Sequence, residues 1–381
     1  MSKIDNLIKQ LCPNGVECKK IGDICEISRG IVISKNYIQD NIGEYPVYSS
    51  QTEDNGCLGK IKTFAFEGEY LTWTTDGANA GTLFYRTGRF NITNVCGLLK
   101  VKDNAIYIKY LYYSLGIEAP KYVNNGMGNA KLMSNVMSNI RIPLPPLHIQ
   151  EEIVRILDKM VEQQQTIEKL IELRKKQYEY YREELLKPKE GWVTVKISDL
   201  GTITRGRRFV RDDVRESGIP CIHYGDMYTY YGITTNTAKT FLDENFPKKM
   251  QYAKKGDVVV VGAGENDLDI GVGTVWEGEE PAAVHDACYI LEHKQNPKYI
   301  AYCLRTNNYH QQLRKYVSEG KICSISSTGF GSVYISLPSM DKQQKIVDFL
   351  DNFETSIAVM TSVLAAIKAR YAHYRDELLR F

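Results

Sequence analysis

Residues 153–185, IVRILDKMVEQQQTIEKLIELRKKQYEYYREEL, and residues 346–378, IVDFLDNFETSIAVMTSVLAAIKARYAHYRDEL, carry one pattern written twice at an offset of 193 positions, with no insertion or deletion. In the first copy the pattern runs Ile153, Leu157, Met160, Gln164, Ile167, Ile171, Arg174, Tyr178, Tyr181, Leu185. In the second it runs Ile346, Leu350, Phe353, Ile357, Met360, Leu364, Ile367, Tyr371, Tyr374, Leu378. Both alternate steps of four and three, the a/d seam of a coiled coil, narrower than the stripe of a helix lying on a globular core. Two long helices with matching seams are predicted. Ile153, Leu157, Met160, Ile167 and Ile171 are expected to pair with Ile346, Leu350, Phe353, Ile357, Met360 and Leu364. Gln164 and Arg174 are polar seam positions where the second copy has Ile357 and Ile367. Such positions fix register at some cost in stability.

The repeat extends outward on both sides. Each helix follows a proline-containing lead-in, Leu144-Pro145-Pro146-Leu147 with Gln150 and Leu337-Pro338-Ser339-Met340 with Gln343. Lys20-Ile21-Gly22-Asp23-Ile24 before Arg29-Gly30 is similar to Lys196-Ile197-Ser198-Asp199-Leu200 before Arg205-Gly206, now at an offset of 176. The second intervening module is therefore 17 residues longer. Gly191-Trp192-Val193 follows the first helix as Gly15-Val16 follows the opening segment, so the C-terminus reads into the N-terminus. These features predict a pseudo-two-fold, circularly arranged chain of mixed α/β (α+β) class. Its segments are 1–147 and 188–340, two similar modules, and 148–187 and 341–381, the two helices.

Within the modules, residues 257–261 and 271–276 read as strands, as do 70–74 and 81–84, each pair flanking a polar glycine loop. Residues 107–112 and 297–302 open matching helices. A small-residue loop then precedes each lead-in, 125–131 and 324–330.

At 381 residues and 43% apolar, the chain can bury two ordinary domains plus the helices. No apolar stretch of roughly 20 residues and no signal-peptide core is read, which points to a cytoplasmic protein without a membrane partner. The nine cysteines, none in a Cys-x-x-Cys pair, read as scattered reduced thiols, with Cys221 and Cys303 expected to be half-buried. Net charge is only +2, so any grip on nucleic acid must come from local clusters. Arg205, Arg207, Arg208 and Arg211 surround Phe209, and Lys248, Lys249, Lys254 and Lys255 form a second group. Basic groups on the modules and mixed charge on the helices fit phosphate contacts by the former and protein contacts by the latter.

Motifs of catalysis are missing. There is no Asn/Asp-Pro-Pro-Tyr/Phe; Asn296-Pro297-Lys298-Tyr299 lacks the second proline. Gly262-x-Gly264 and Gly271-x-Gly273 lack the third glycine of a phosphate cradle. His285, Asp286 and Cys288 fall near Asn94 of the first copy, and a side chain exchanged between copies reads as a recognition residue.

Two dissimilar modules, each followed by Leu-Pro-x-x-x-x-x-Gln and a long helix, together with the cyclic repeat, resemble the specificity subunits of type I restriction-modification systems over essentially the whole chain. Ser339 and Met340, in place of Pro146 and Leu147, depart from the first copy without disturbing the seam or Gln343. The resemblance implies antiparallel helices acting as a spacer between two modules, each reading half of a bipartite double-stranded DNA site. It also implies no catalysis by this chain, with two methyltransferase subunits docked on the helices and motor-nuclease subunits joining them. S-adenosylmethionine, ATP and Mg are then expected on those partners and no cofactor or metal on this chain. From Ile153 to Leu185 about 32 steps of roughly 1.5 Å give ~50 Å, against ~35 Å for a DNA turn. Alternatives are the recognition part of another restriction or methylation enzyme, or a DNA-binding regulator.

On this reading Thr75, Asp76, Asn79, Asn129 and Lys131 contact one half-site. Arg205, Arg207, Arg208, Arg211, Asn266, Ser326 and Ser327 contact the other. Asn79, Asn129 and Asn266 suit bidentate bonds to adenine, and Arg207 and Arg208 suit guanine or phosphate.

Overall fold

The computed structural model describes residues 10–126, 128–246, 249–318 and 320–381. Two helices dominate it, Leu147–Leu186 and Met340–Leu378, hereafter the central and terminal helices. The chain divides into two compact units. The first joins the chain as far as Glu168 to Ser362–Phe381, and the second is Lys169–Thr361. Each unit thus holds one module and half of each helix.

In both units the helix halves run antiparallel, as the resemblance implied. In the first, Ile153 and Leu157 are buried in one cluster with Leu378 and Leu379, and Lys368 pairs with Glu168 at 2.7 Å. In the second, the Tyr178 hydroxyl donates to Glu354 at 2.8 Å, and Tyr181 packs against Phe349 and Phe353 with ring centres 5.3 and 5.6 Å apart. Met160, Ile171, Ile346, Leu350 and Phe353 are buried, while Ile167, Ile357, Met360 and Leu364 are half-buried between exposed neighbours. The polar seam residues behave differently from one another. Arg174 lays its guanidinium 4.9 Å from the Phe353 ring centre, and Gln164 leaves its buried Nε2 without a partner among the described residues.

The terminal helix corrects one expectation: it is long and apolar enough, by length and composition, to cross a bilayer. The seam explains part of that apolarity, since Ile357, Met360, Leu364 and Ile367 are half-buried in it.

Both modules are built on one frame. In the first, strands Cys25–Arg29, Cys96–Val101, Phe66–Thr74 and Leu83–Ile92 lie side by side in that order, all antiparallel, and Ile42–Tyr48 and Cys57–Ile61 extend the sheet. In the second, Gly201–Arg205, Cys288–His293, Val258–Val261 and Gly273–Trp276 repeat that order. A ribbon pairs Cys18–Lys20 with Arg141–Pro143, and its counterpart pairs Val193–Lys196 with Tyr334–Leu337. The parallel pairing of Ile42–Tyr48 with Leu83–Ile92 in the first module has its counterpart in that of Ile219–Ile222 with Ala282–Val284, which in the second module belongs to a separate five-stranded sheet. Val258–Val261 is buried throughout, as an apolar run covered on both faces should be. Cys221 and Cys303 are fully buried rather than half-buried, because each lies inside a module core.

The lead-in glutamines clasp each module to its helix. Gln150, 1% exposed, accepts from the Tyr107 amide at 2.8 Å and donates to the carbonyls of Ala105 and Pro145 at 3.1 and 2.8 Å. Gln343, fully buried, accepts from the Asn296 amide at 3.1 Å and donates to the Gln295 side chain and the Pro338 carbonyl at 2.9 and 3.0 Å. Each clasp is backed by a second constellation. Lys109 and the Tyr113 hydroxyl hold Asp158 at 2.5 and 2.7 Å, while Lys298 and the Tyr302 hydroxyl hold Asp351 at 3.0 and 2.6 Å.

Gln343→Ala strands a buried amide and carbonyl, so it should destabilise the second unit by about 1–3 kcal/mol per group left unpaired, read as a lower Tm. Ile171→Asp places an unpaired charge in the seam and should cost on the order of several kcal/mol. An unchanged Tm for the second variant would contradict the pairing.

Candidate nucleic-acid interface

Backbone hydrogen bonds stitch the loops of each module into one cluster, bond for bond. In the first module Gly30 N donates to Cys96 O at 3.3 Å, Thr75 N to Val95 O at 3.1 Å, Leu132 N to Thr75 O at 2.9 Å and Thr93 N to Tyr48 O at 2.9 Å. In the second, Gly206 N donates to Cys288 O at 3.0 Å, Gly262 N to Ala287 O at 2.7 Å, Ile325 N to Gly262 O at 2.9 Å and His285 N to Ile222 O at 3.1 Å. Thr93 and His285 therefore occupy one position, a residue away from the Asn94 expected from sequence. Gly30 and Gly206 are required for the close approach: a Cβ would sit 2.0 Å from Ile92 O and 2.2 Å from His285 O.

In the first module Arg29, missed from sequence, is central. Its guanidinium donates to Thr75 Oγ1 and lies 3.4 Å from Asp76, whose other oxygen is 3.9 Å from Lys131 Nζ. Thr75 is fully buried, which corrects its assignment to direct DNA contact: its hydroxyl holds Arg29 and donates to Asp76 at 2.7 Å. Asp76 and Lys131 are drawn into this cluster. Asn79 is exposed but stands apart, its amide on Thr52 Oγ1 at 3.3 Å, lining a cavity of about 450 Å³ with Tyr112, Tyr371 and Arg375. Asn129 is exposed. Met127, in the same loop, lies outside the described residues.

In the second module Arg207, Arg208 and Arg211 are exposed, and Arg205 donates to the Asp286 carbonyl at 2.8 Å. Arg205, Ser326 and Ser327 line one cavity of about 380 Å³; Ser326 also caps the turn at Gly329 N, 3.0 Å away. Asn266 spends its side-chain oxygen on the Leu268 amide at 3.1 Å, which competes with a bidentate bond to adenine. Of the lysine group, Lys255 pairs with Glu279, Lys249 is exposed, and Lys248 lies outside the described residues.

Arg208 and Arg211 also border a cavity of about 400 Å³ walled by Phe209, His223, Tyr224 and His285. Here His285 accepts from the Ala287 amide at Nδ1, 3.1 Å, so its proton sits on Nε2, which donates to Phe209 O at 3.1 Å. Burial, then the neighbouring His223, pushes its pKa below the usual imidazole value. In the neutral ring, the 3.3 Å approach of Asp286 to Nδ1 is a contact and not an ion pair. Burial lowers His223 as well. The first module has a different pair at the equivalent place: Thr93 Oγ1 donates to Ser49 Oγ at 3.1 Å. Unequal inserts hide this exchange from sequence.

Two like-framed modules with unlike loop contents, each attached to helix halves, define a two-reader recognition protein. A family model described as the type I restriction modification DNA specificity domain matches residues 13–174 and again 189–369, and the chain belongs to this family. It is a type I restriction-modification specificity subunit with two target-recognition domains. A Mycoplasma pneumoniae protein named as a type I specificity subunit, S.MpnORF507P, is 33% identical over 337 residues, covering 87% of each chain. The type I restriction enzyme MpnII specificity subunit of the same organism is 49% identical over 173 residues, 44% of this chain and 51% of that one. In fold, the chain is similar to the crystal structure of the type I system S subunit from M. genitalium, with a TM-score of 0.60 at 14% identity over 97% of both.

Arg207→Ala, at an exposed side chain, should leave stability within about 0.5 kcal/mol. His285→Ala removes the hydrogen bond to Phe209 O that holds the arginine loop, and the one from Ala287 N within its own turn, and should cost about 1–3 kcal/mol. Thermal unfolding of the two variants separates contact from support.

Proposed function

We propose that each target-recognition domain reads one half of a bipartite double-stranded DNA site, and that the chain does this as the non-catalytic member of a larger complex. Two methyltransferase subunits dock on the paired helices, and motor-nuclease subunits join them. S-adenosylmethionine, ATP and Mg belong to those partners, and the complex works in the cytoplasm. The observation that carries the proposal is the bond-for-bond match of the two loop clusters around unlike side chains. A frame that repeats while its contents differ suits two readers of different sequences. Arg205, Arg207, Arg208 and Arg211 supply cations to one half-site, and Arg29 and Lys131 to the other. Phosphate contacts of this kind position the protein, and base-edge contacts specify sequence.

The test is methylome sequencing of a host expressing the chain with its cognate subunits, before and after residues 207–337 are exchanged for the matching module of a relative with another target. One half of the methylated motif should change. A change in both halves would refute the modular reading. Methyl transfer from S-adenosylmethionine by the purified chain alone would refute the non-catalytic one.

A further inference from the structure

Gly30 and Gly206 pin their loops to the same bond of the shared frame, and the next two residues project from the same place in each module. In the second module these are Arg207 and Arg208, both exposed; in the first they are Ile31 and Val32, 71% and 78% exposed. Single exposed aliphatic residues are ordinary, but this pair is held on both sides. Ile31 forms a β-bridge with Thr93, and Ile33 packs on the cluster of Ile38, Val47 and Ile61. Two aliphatic side chains are thereby presented on a fixed backbone at the position where the other module presents two guanidinium groups. Beside them stand Arg29 and Lys131, both drawn to Asp76.

We infer that Ile31 and Val32 are specificity-determining residues of the first module, reading its half-site by apolar contact with thymine methyl groups in the major groove. This rests on the function proposed above. An aliphatic side chain can neither donate nor accept a hydrogen bond, so among the major-groove edges it distinguishes only the one that carries a methyl group, that of thymine. Arg29 and Lys131 beside the pair supply the positive charge that brings phosphates near. The two modules then read by opposite chemistries from one position: methyl recognition in the first, and guanidinium contact to guanine or phosphate in the second.

The test uses the full chain and a duplex carrying the motif found by methylome sequencing, with binding followed by fluorescence anisotropy. Each thymine is replaced in turn by uracil, which deletes only the methyl group. Replacement at one or two positions of the first module's half-site should weaken binding about fourfold per methyl. The double variant Ile31→Ala, Val32→Ala should bind the thymine duplex as weakly as the wild type binds the uracil duplex. It should also lose its sensitivity to uracil in that half-site. Its Tm should not move, because both side chains are exposed. Retained uracil sensitivity in the variant, or wild-type binding that is sequence-selective yet indifferent to uracil, would overturn the inference. Absence of any sequence-selective binding by the wild type would instead remove the function on which it rests.

Discussion

Two buried glutamines hold this architecture together. A side chain that is almost fully excluded from water must satisfy both ends of its amide, and Gln150 and Gln343 do so on main-chain groups at two places at once. Each joins the start of a module helix to the proline lead-in of a long helix. The direction in which the long helix leaves is thus tied to the position of the module sheet. Asp158 and Asp351, each held by a lysine and a tyrosine, make a second attachment two turns further along. Two attachments on one helix face prevent rotation about either of them.

Most partners of these glutamines are peptide groups, so the clasp places little demand on neighbouring side chains. That is why the modules can diverge in nearly every residue while the frame persists. The divergence is concentrated where the loops meet. A hydroxyl pair, Ser49 and Thr93, stands where the second module has two imidazoles, and two aliphatic residues stand where it has two arginines. The hydrogen bonds beneath both pairs are the same.

The two long helices were legible in the sequence, because a seam is a spacing and spacing survives translation along the chain, but the partners of the seam residues were not: Ile346 and Leu350 are buried in the core of the second module, and Ile153 and Leu157 share a cluster with Tyr110 and Tyr113 of the first. Much of the strand frame was legible too: the runs around Leu71 and Val259 are apolar because they are buried. The loop cluster was only half legible. Thr75 reads as a polar loop residue, yet its hydroxyl is turned inward to hold Arg29, and orientation has no signature in composition. Arg29 was visible as part of a repeated Arg-Gly, but its partners come from a loop more than forty residues away. The equivalence of His285 with Thr93 depends on strand register, which unequal inserts conceal.

The first compact unit is discontinuous, closing residues as far as Glu168 against Ser362–Phe381. During synthesis, Ile153 and Leu157 emerge long before Leu378 and Leu379, their companions in one buried cluster, have been made. Roughly two hundred residues intervene, which at about 5–20 residues per second is a wait of some ~10–40 s. The second unit is contiguous and contains both stretches of helix that it needs. It can be complete at the ribosome while the first still waits for its last partner, so the module made first is the one finished last.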